Sequence, residues 1–341
     1  MIFSRCGRKN WSYMSQPRNP IRIAIGDNLW TRALVDGSVR VEEFPVEFHS
    51  KVTLPDRLHG VRDGRWDGSD GTLTDYLLEK ETAAGIPKIA LPIFMLGGFR
   101  QRTLLMRRDG VSVTGLSGQK ILLPRVLTPG GVYVRGLLAD EFGIQRETVN
   151  WHTIHGKEDD ADSKWLKGRL NQPESFEAVV SAAEMLSRGE WAALIHPGGH
   201  GFHSLFGGDK MIGGTLKRFS NLYEPLGKAE EIAAWFHRTK VYPMVHVLQL
   251  RADTLEENRG LPEQLVDAFT QAWAASESRL DVEERELLEK ERALLGFDPY
   301  RYELGEVQRR TIEKLMDYLQ ADGLLRQRFS MQEIFPFTRI V

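Results

Sequence analysis

The chain has almost no cysteine: Cys6 is the single one among 341 residues. One thiol excludes an internal disulfide, a Cys-x-x-Cys redox pair and a cysteine-rich zinc site. No run reaches the roughly 18–20 apolar residues that a membrane-spanning helix needs. An excess of one charge is missing too, since 45 Lys and Arg stand against 47 Asp and Glu for a net of −2. That balance supplies no general pull toward nucleic acid or an anionic membrane. No apolar stretch follows the basic start Met1–Asn10, so no secretory signal is read there and a cytoplasmic protein is expected, with Met14 as a second candidate start. The motifs G-x-S-x-G, H-E-x-x-H, the phosphate-binding loop and a strand-linked G-x-G-x-x-G are all absent. This argues against the corresponding serine hydrolases, zincins, nucleoside triphosphatases and dinucleotide enzymes.

What is present is the material of a sizeable soluble fold. Apolar residues make up 41% and charged residues 27%, and the length suits two lobes. Residues 1–20 are polar, include Pro17 and Pro20, and read as a tail. Strands are expected near 22–26, 44–48, 88–92, 102–107, 121–123, 149–154, 191–195 and 242–250. Helices are expected over 73–84, 128–142, 175–187 and 229–237, and almost continuously after Asp253. Strands alternating with helices indicate α/β layers with mostly parallel sheets. The charge-dense run 281–292 reads as a solvated amphipathic helix, and 157–164 as a surface loop without calcium-loop spacing.

Three groups of residues could carry chemistry. Thr72, three residues before Asp75, and Thr128, followed by Pro129-Gly130-Gly131, are good helix N-caps. Helix starts present free N–H groups and positive polarity, which suit a carboxylate or phosphate. Arg32, Arg100, Arg102, Arg125 and Arg135 lie near these starts, and guanidinium pairs bidentately with carboxylate. Histidines gather in His196-Pro197-Gly198-Gly199-His200-Gly201-Phe202-His203 and at His246. The first group follows a buried-looking strand. Its residues could bind a metal, but ligand contact or acid–base work near neutral pH fits better. His246 alternates with apolar residues, and by itself it reads more readily as a satisfied core histidine than as a catalyst. His152 and His155 flank a strand end and are weaker candidates.

Taken in order, these segments resemble the 4,5-dihydroxyphthalate decarboxylase family, whose fold is similar to that of type 2 periplasmic substrate-binding proteins. Gly26-Asp27 with Thr31-Arg32-Ala33-Leu34 and Gly37 resembles the family's opening. Asp67, Asp70, Thr72 and Tyr76 resemble its Asp-x-x-Glu-x-Ser-x-x-x-Tyr segment, with Asp for Glu and Thr for Ser. Phe99-Arg100 matches a Phe-Arg-His stretch in which Gln101 replaces the His. Val134-Arg135-Gly136 and Glu141-Phe142-Gly143 resemble the helix after the central strand. Glu190–Ile195 and Tyr242-Pro243-Met244-Val245-His246 resemble two later strands. The similarity covers about 22–275, and His196–His203 replaces the proline-rich stretch the family carries after Ile195.

The resemblance implies a two-lobed α/β fold, each lobe a mixed sheet flanked by helices, with a ligand cleft and hinge between them. Lobe one would hold 20–117 plus 246–341, and lobe two 118–245. It implies cofactor-independent decarboxylation of a hydroxylated aromatic di-acid by ring protonation and loss of CO2. His246 or His196 would donate the proton, with Asp70 orienting it. Arg32, Thr72, Arg100, Thr128, Arg135 and His200 would bind the substrate. No metal, nucleic acid or membrane is called for, and a homo-oligomer is compatible with the sequence. Two rivals stand beside this reading: a solute-binding protein of an ABC transporter, and a metal-dependent lyase or hydrolase using His196, His200 and His203.

Overall fold

Two sheets organise the chain in the computed structural model, which describes residues 19–53, 56–57, 60–83, 85–155, 164–173, 175–198 and 204–337. The expected tail 1–20 lies almost wholly outside the described residues. The strands are β1 (Ile21–Ala24), β2 (Val46–His49), β3 (Gly68–Thr72), β4 (Lys88–Gly97), β5 (Leu104–Arg107), β6 (Lys120–Leu123), β7 (Asn150–Thr153), β8 (Leu166–Arg169), β9 (Ala193–Ile195), β10 (Leu222–Tyr223) and β11 (Met244–Arg251). The first sheet has the order β2-β1-β3-β11-β4, and the second β10-β5-β9-β6-β7-β8.

Within the first sheet, β11 runs antiparallel to both β3 and β4, while β1 runs parallel to β2 and β3. Within the second, β6, β7, β8 and β9 are parallel, and β5 is antiparallel to β9. Both sheets are therefore mixed, as expected for this architecture. Apolar side chains cover both faces of each. Leu261–Glu277 packs on one face of the first sheet through Leu265, Phe269 and Ala272. Glu306–Ala321 and Ala229–Thr239 cover the other. Such near-continuous burial is what parallel strands require.

The chain leaves the first sheet after Gly97, enters the second at Leu104, and returns between Tyr223 and Met244. The boundary expected at 117/118 therefore falls too late, because β5 is already hydrogen-bonded to β9. The crossing is made by a short 3-10 turn, Arg100–Thr103. The C-terminal part is also not confined to one lobe. Tyr318 of Glu306–Ala321 lies over Gly136 of Pro129–Phe142, where a Cβ would come within 2.3 Å of the ring. That glycine lets the two helices approach closely and ties the lobes together. Among the described residues, no helix is long and apolar enough to cross a membrane.

Strand β3 has the sequence Gly-Ser-Asp-Gly-Thr and was not expected as a strand. Its glycines have low strand propensity, but every residue in it is buried. A Cβ at Gly71 would sit 2.4 Å from the Gln249 side chain. The gap lets Gln249 lie flat across β3 and donate from Nε2 to the Thr72 carbonyl at 3.1 Å. Tertiary pairing thus overrides local propensity at the strand that carries Asp70.

Candidate active site

A cavity of about 360 Å³ opens between the two sheets. Its second-lobe wall is built from the carboxyl ends of β6, β7 and β9, which deliver Arg125, His155 and His196. Open α/β sheets place ligands at such strand ends. The first-lobe wall holds Arg57, Thr72, Leu96 and Arg100, together with Val245 and His246 at the start of β11. A larger hollow of about 760 Å³ lies against 34–49, but one segment lines it and it faces solvent, so it encloses nothing.

His246 pairs with Thr72 across the β11–β3 ladder, and Leu248 pairs with Asp70. The imidazole therefore reaches Asp70 on the diagonal, which long side chains can do. The register against β4 shifts on both sides of His246, an irregularity that re-aims a side chain. Nδ1 of His246 lies 2.6 Å from Oδ1 of the fully buried Asp70. A carboxylate accepts, so Nδ1 carries the hydrogen, and Nε2 is the nitrogen left for the cavity. On the other side, Arg57 Nε stands 3.4 Å from Asp70 Oδ2. A Cβ at Gly26 would come within 2.6 Å of Arg57 Nη1, so the glycine ending β1 gives the guanidinium room.

Arg100 is 3% exposed. Its Nε donates to the Gly98 carbonyl at 2.8 Å and its Nη1 to the Gly198 carbonyl at 3.3 Å. Burial lowers its pKa to about 10, partly opposed by Tyr242, Asp209 and Tyr133, so it stays charged at neutral pH. Opposite it begins Pro129–Phe142. Thr128 was expected to cap this helix. Its hydroxyl instead donates back to the Arg125 carbonyl at 2.9 Å, and no side chain caps the first turn. The backbone of Gly130 and Gly131 therefore borders the cavity as an uncapped, positively polarised helix start. With Arg57, Arg100 and Arg125, the cavity is a hollow for a small polyanion.

Other expected residues do different work. Thr72 borders the cavity, but its hydroxyl is committed to the cap of Leu73–Thr82: it accepts from Asp75 N at 3.1 Å and donates to Asp75 Oδ2 at 2.6 Å. His196 is 1% exposed, and both ring nitrogens are occupied. Gly198 N–H donates to Nδ1 at 3.0 Å, so Nε2 carries the hydrogen toward Thr215 Oγ1 at 3.1 Å. Burial pushes the ring down to about 4, against the opposing pull of Asp209. A neutral ring with both nitrogens bonded cannot serve as the acid expected of it.

Arg32 and Arg135 were expected in the cleft and do not line it. The adjoining Thr31 is buried by its bond to the Gly26 carbonyl at 2.6 Å. Arg32 consequently turns outward, 61% exposed and 3.8 Å from Asp27. Arg135 is sealed in the core, bonded to Asp322 at 2.5 Å beside Arg146 at 2.7 Å, and stacked 4.4 Å over Trp165. His200 and His203 lie outside the described residues, and so does most of the His196/His200/His203 trio. Among the described residues, no three His, Cys, Asp or Glu side chains gather where a metal could be held. Sequence reasoning missed Arg57, Phe176 and Met211, whereas Asp75 takes the capping role expected of it beside Thr72. Arg57 sits in a short apolar-polar stretch with no motif, and nothing nearby in sequence points to Asp70.

No protein-family model matches the chain. The chain is 27% identical over 335 residues to the 4,5-dihydroxyphthalate decarboxylase of Comamonas testosteroni, covering 92% of this chain and 96% of that protein. It is 28% identical to the protein of the same name from Pseudomonas putida, over 52% of this chain and 70% of that one. The resemblance read from the motifs is thereby borne out. Relatives named as decarboxylases support an enzyme of carboxy-lyase type that binds a small molecule. Among solved structures, a protein of Archaeoglobus fulgidus covers 91% of this chain at a TM-score of 0.55 and 13% identity. The periplasmic sulfonate-binding protein of a putative transporter from Methylobacillus flagellatus covers 93% at 0.53 and 14% identity. At such identity these establish the periplasmic-binding-protein-like fold alone.

Proposed function

We propose that this protein decarboxylates a hydroxylated aromatic di-acid of the 4,5-dihydroxyphthalate kind by delivering a proton from His246 Nε2 to the ring. The observation that carries the reading is the Arg57–Asp70–His246 chain opening into a cavity lined by Arg100, Arg125 and an uncapped helix start. It is joined to the full-length similarity to a protein of that name.

The chemistry follows from the charges. A ring hydroxyl ortho or para to the leaving carboxylate pushes electron density to the carbon that bears it. The imidazolium Nε2–H transfers its proton to that carbon. The bond to the carboxylate then breaks, its electron pair restores the aromatic ring, and CO2 departs. The neutral imidazole takes up a proton from water, so one proton is consumed and no electron changes hands. Asp70 holds the ring through Nδ1 and balances the imidazolium, and Arg57 holds Asp70 from behind. A positioned acid of this kind is worth about 10²–10⁴-fold in rate. Arg100, Arg125 and the Gly130–Gly131 backbone would grip the carboxylate that stays.

Incubation of the purified protein with 4,5-dihydroxyphthalate and measurement of released CO2 tests the proposal, and turnover is expected. A second reading has one observation in its favour, the binding-protein fold. Tight binding of the same compound with no CO2 over many hours would replace the enzyme with a solute-binding protein.

A further inference from the structure

The polar groups of the cavity address carboxylates and a proton, but none of them reads an aromatic ring. Two apolar side chains remain unexplained. Phe176 is 49% exposed and Met211 38% exposed, and both border the cavity. Among the described residues the other large apolar side chains so exposed are Val282 and Phe337, and neither borders it. Both come from helix starts on the second lobe. Ser175 caps Phe176–Ser187 by accepting from Ala178 N at 3.2 Å, which places Phe176 in the first turn. Asp209 caps Lys210–Arg218 by accepting from Ile212 N at 2.8 Å, which places Met211 there likewise. The caps fix the backbone while the side chains stand exposed at a cavity whose cationic groups are Arg57, Arg100 and Arg125.

Leaving such side chains exposed forfeits burial, and a ligand ring seated between the lobes would recover it. A phenyl ring offers edge or offset-face contact, and a thioether offers a polarizable contact to the rim of a ring. Leu127 and Val179 extend the same apolar lining inward. We infer that Phe176 and Met211 are the specificity-determining residues that select an aromatic acid over an aliphatic acid of the same charge. This inference rests on the reading of the cavity as the substrate site and adds what the arginines cannot discriminate.

The test uses two non-reacting probes that share vicinal cis carboxylates: phthalate, with a ring, and maleate, without one. Calorimetry measures both on wild type, Phe176→Ala, Met211→Ala and Phe176→Tyr. Wild type is expected to prefer phthalate, and each alanine variant to lose about tenfold in phthalate affinity, a ring contact's worth, with maleate affinity within about twofold. Phe176→Tyr should keep the preference. Retained maleate binding also reports that the variant has folded. Equal loss of both probes, loss of neither, or a wild type that does not prefer phthalate would overturn the inference. CO2 release by wild type reports separately on the reaction. No turnover with the phthalate preference intact and lost in the variants would remove the decarboxylase reading and support the ring contact.

Discussion

His246 and His196 face the same cavity from opposite lobes, each at a strand end and each beside a helix start. They differ in what occupies their nitrogens. His246 gives Nδ1 to a buried carboxylate and retains Nε2 for a ligand. His196 receives a backbone N–H on Nδ1 and spends Nε2 on Thr215, whose own hydroxyl goes on to the Met211 carbonyl at 3.0 Å. One ring lies 2.6 Å from a buried carboxylate. The other has a desolvated environment that opposes its protonation and lowers its pKa to about 4. A histidine at a cavity wall is therefore not an acid by position alone; its second nitrogen and its nearest charge decide.

The sharpest way to break this contrast is to delete each ring. His246→Ala should lower kcat by about 10²–10⁴-fold, the worth of a positioned acid. His196→Ala should leave kcat within a few-fold once the folded fraction is measured by circular dichroism. Initial rates of CO2 release decide, and equal losses in the two variants would erase the distinction. Asp70→Asn comes next. The amide keeps the shape but removes the negative charge and can reverse which ring nitrogen carries the hydrogen, so kcat should fall by about a hundredfold with a smaller change in KM. A kcat unchanged in Asp70→Asn would mean that the aspartate only fills space.

The two histidines also mark how far the sequence could be read. The strands around Tyr242–Leu250 and Trp191–Ile195 were recognisable as short apolar, β-rich runs, the first carrying His246 near its start and the second followed by His196. Arg100 was legible beside its glycines. Asp70 was legible as the group that orients His246, whereas Thr215, which meets His196 Nε2 from 19 residues away, and Arg57, which holds Asp70, are brought in by tertiary packing and carry no local signature. Arg135 failed for a related reason. It lies within the helix whose start faces the cavity, but its partner Asp322 is 187 residues along the chain and draws it into the core. Strand β3 was hidden by its glycines, which the neighbouring strands explain: Gly71 makes room for the Gln249 side chain, and Gly68 lies close against Leu250 and Ile23.

The environment of His196 makes a stability prediction. Its folded pKa of about 4 lies below the usual value of 6.5. Between those values the unfolded chain binds a proton that the native ring refuses. Stability from this site is complete above about pH 6.5 and is lost as pH falls toward 4, by at most about 3 kcal/mol. His196→Gln can keep the hydrogen bonds without titrating. Thermal unfolding from pH 7.5 to 4.5 should therefore show a shallower acid loss in the variant than in wild type. Parallel curves would mean that the native ring takes up its proton as readily as the unfolded one.

The smallest effect is expected from the arginine that sequence placed in the cleft and the structure places outside it. Arg32 is 61% exposed and 3.8 Å from an exposed Asp27, an arrangement that contributes little because water and salt screen it. Arg100, by contrast, is buried against the helix start that borders the cavity. Arg32→Ala should leave KM for the di-acid within about twofold, whereas an arginine that grips a carboxylate would raise it by an order of magnitude or more on removal. Steady-state kinetics at two salt concentrations separates the cases. A KM that rises several-fold and stays raised at high salt would mean that Arg32 swings onto the ligand when the lobes close. The arrangement of Arg57, Arg100 and Arg125 would then be only the open half of the grip.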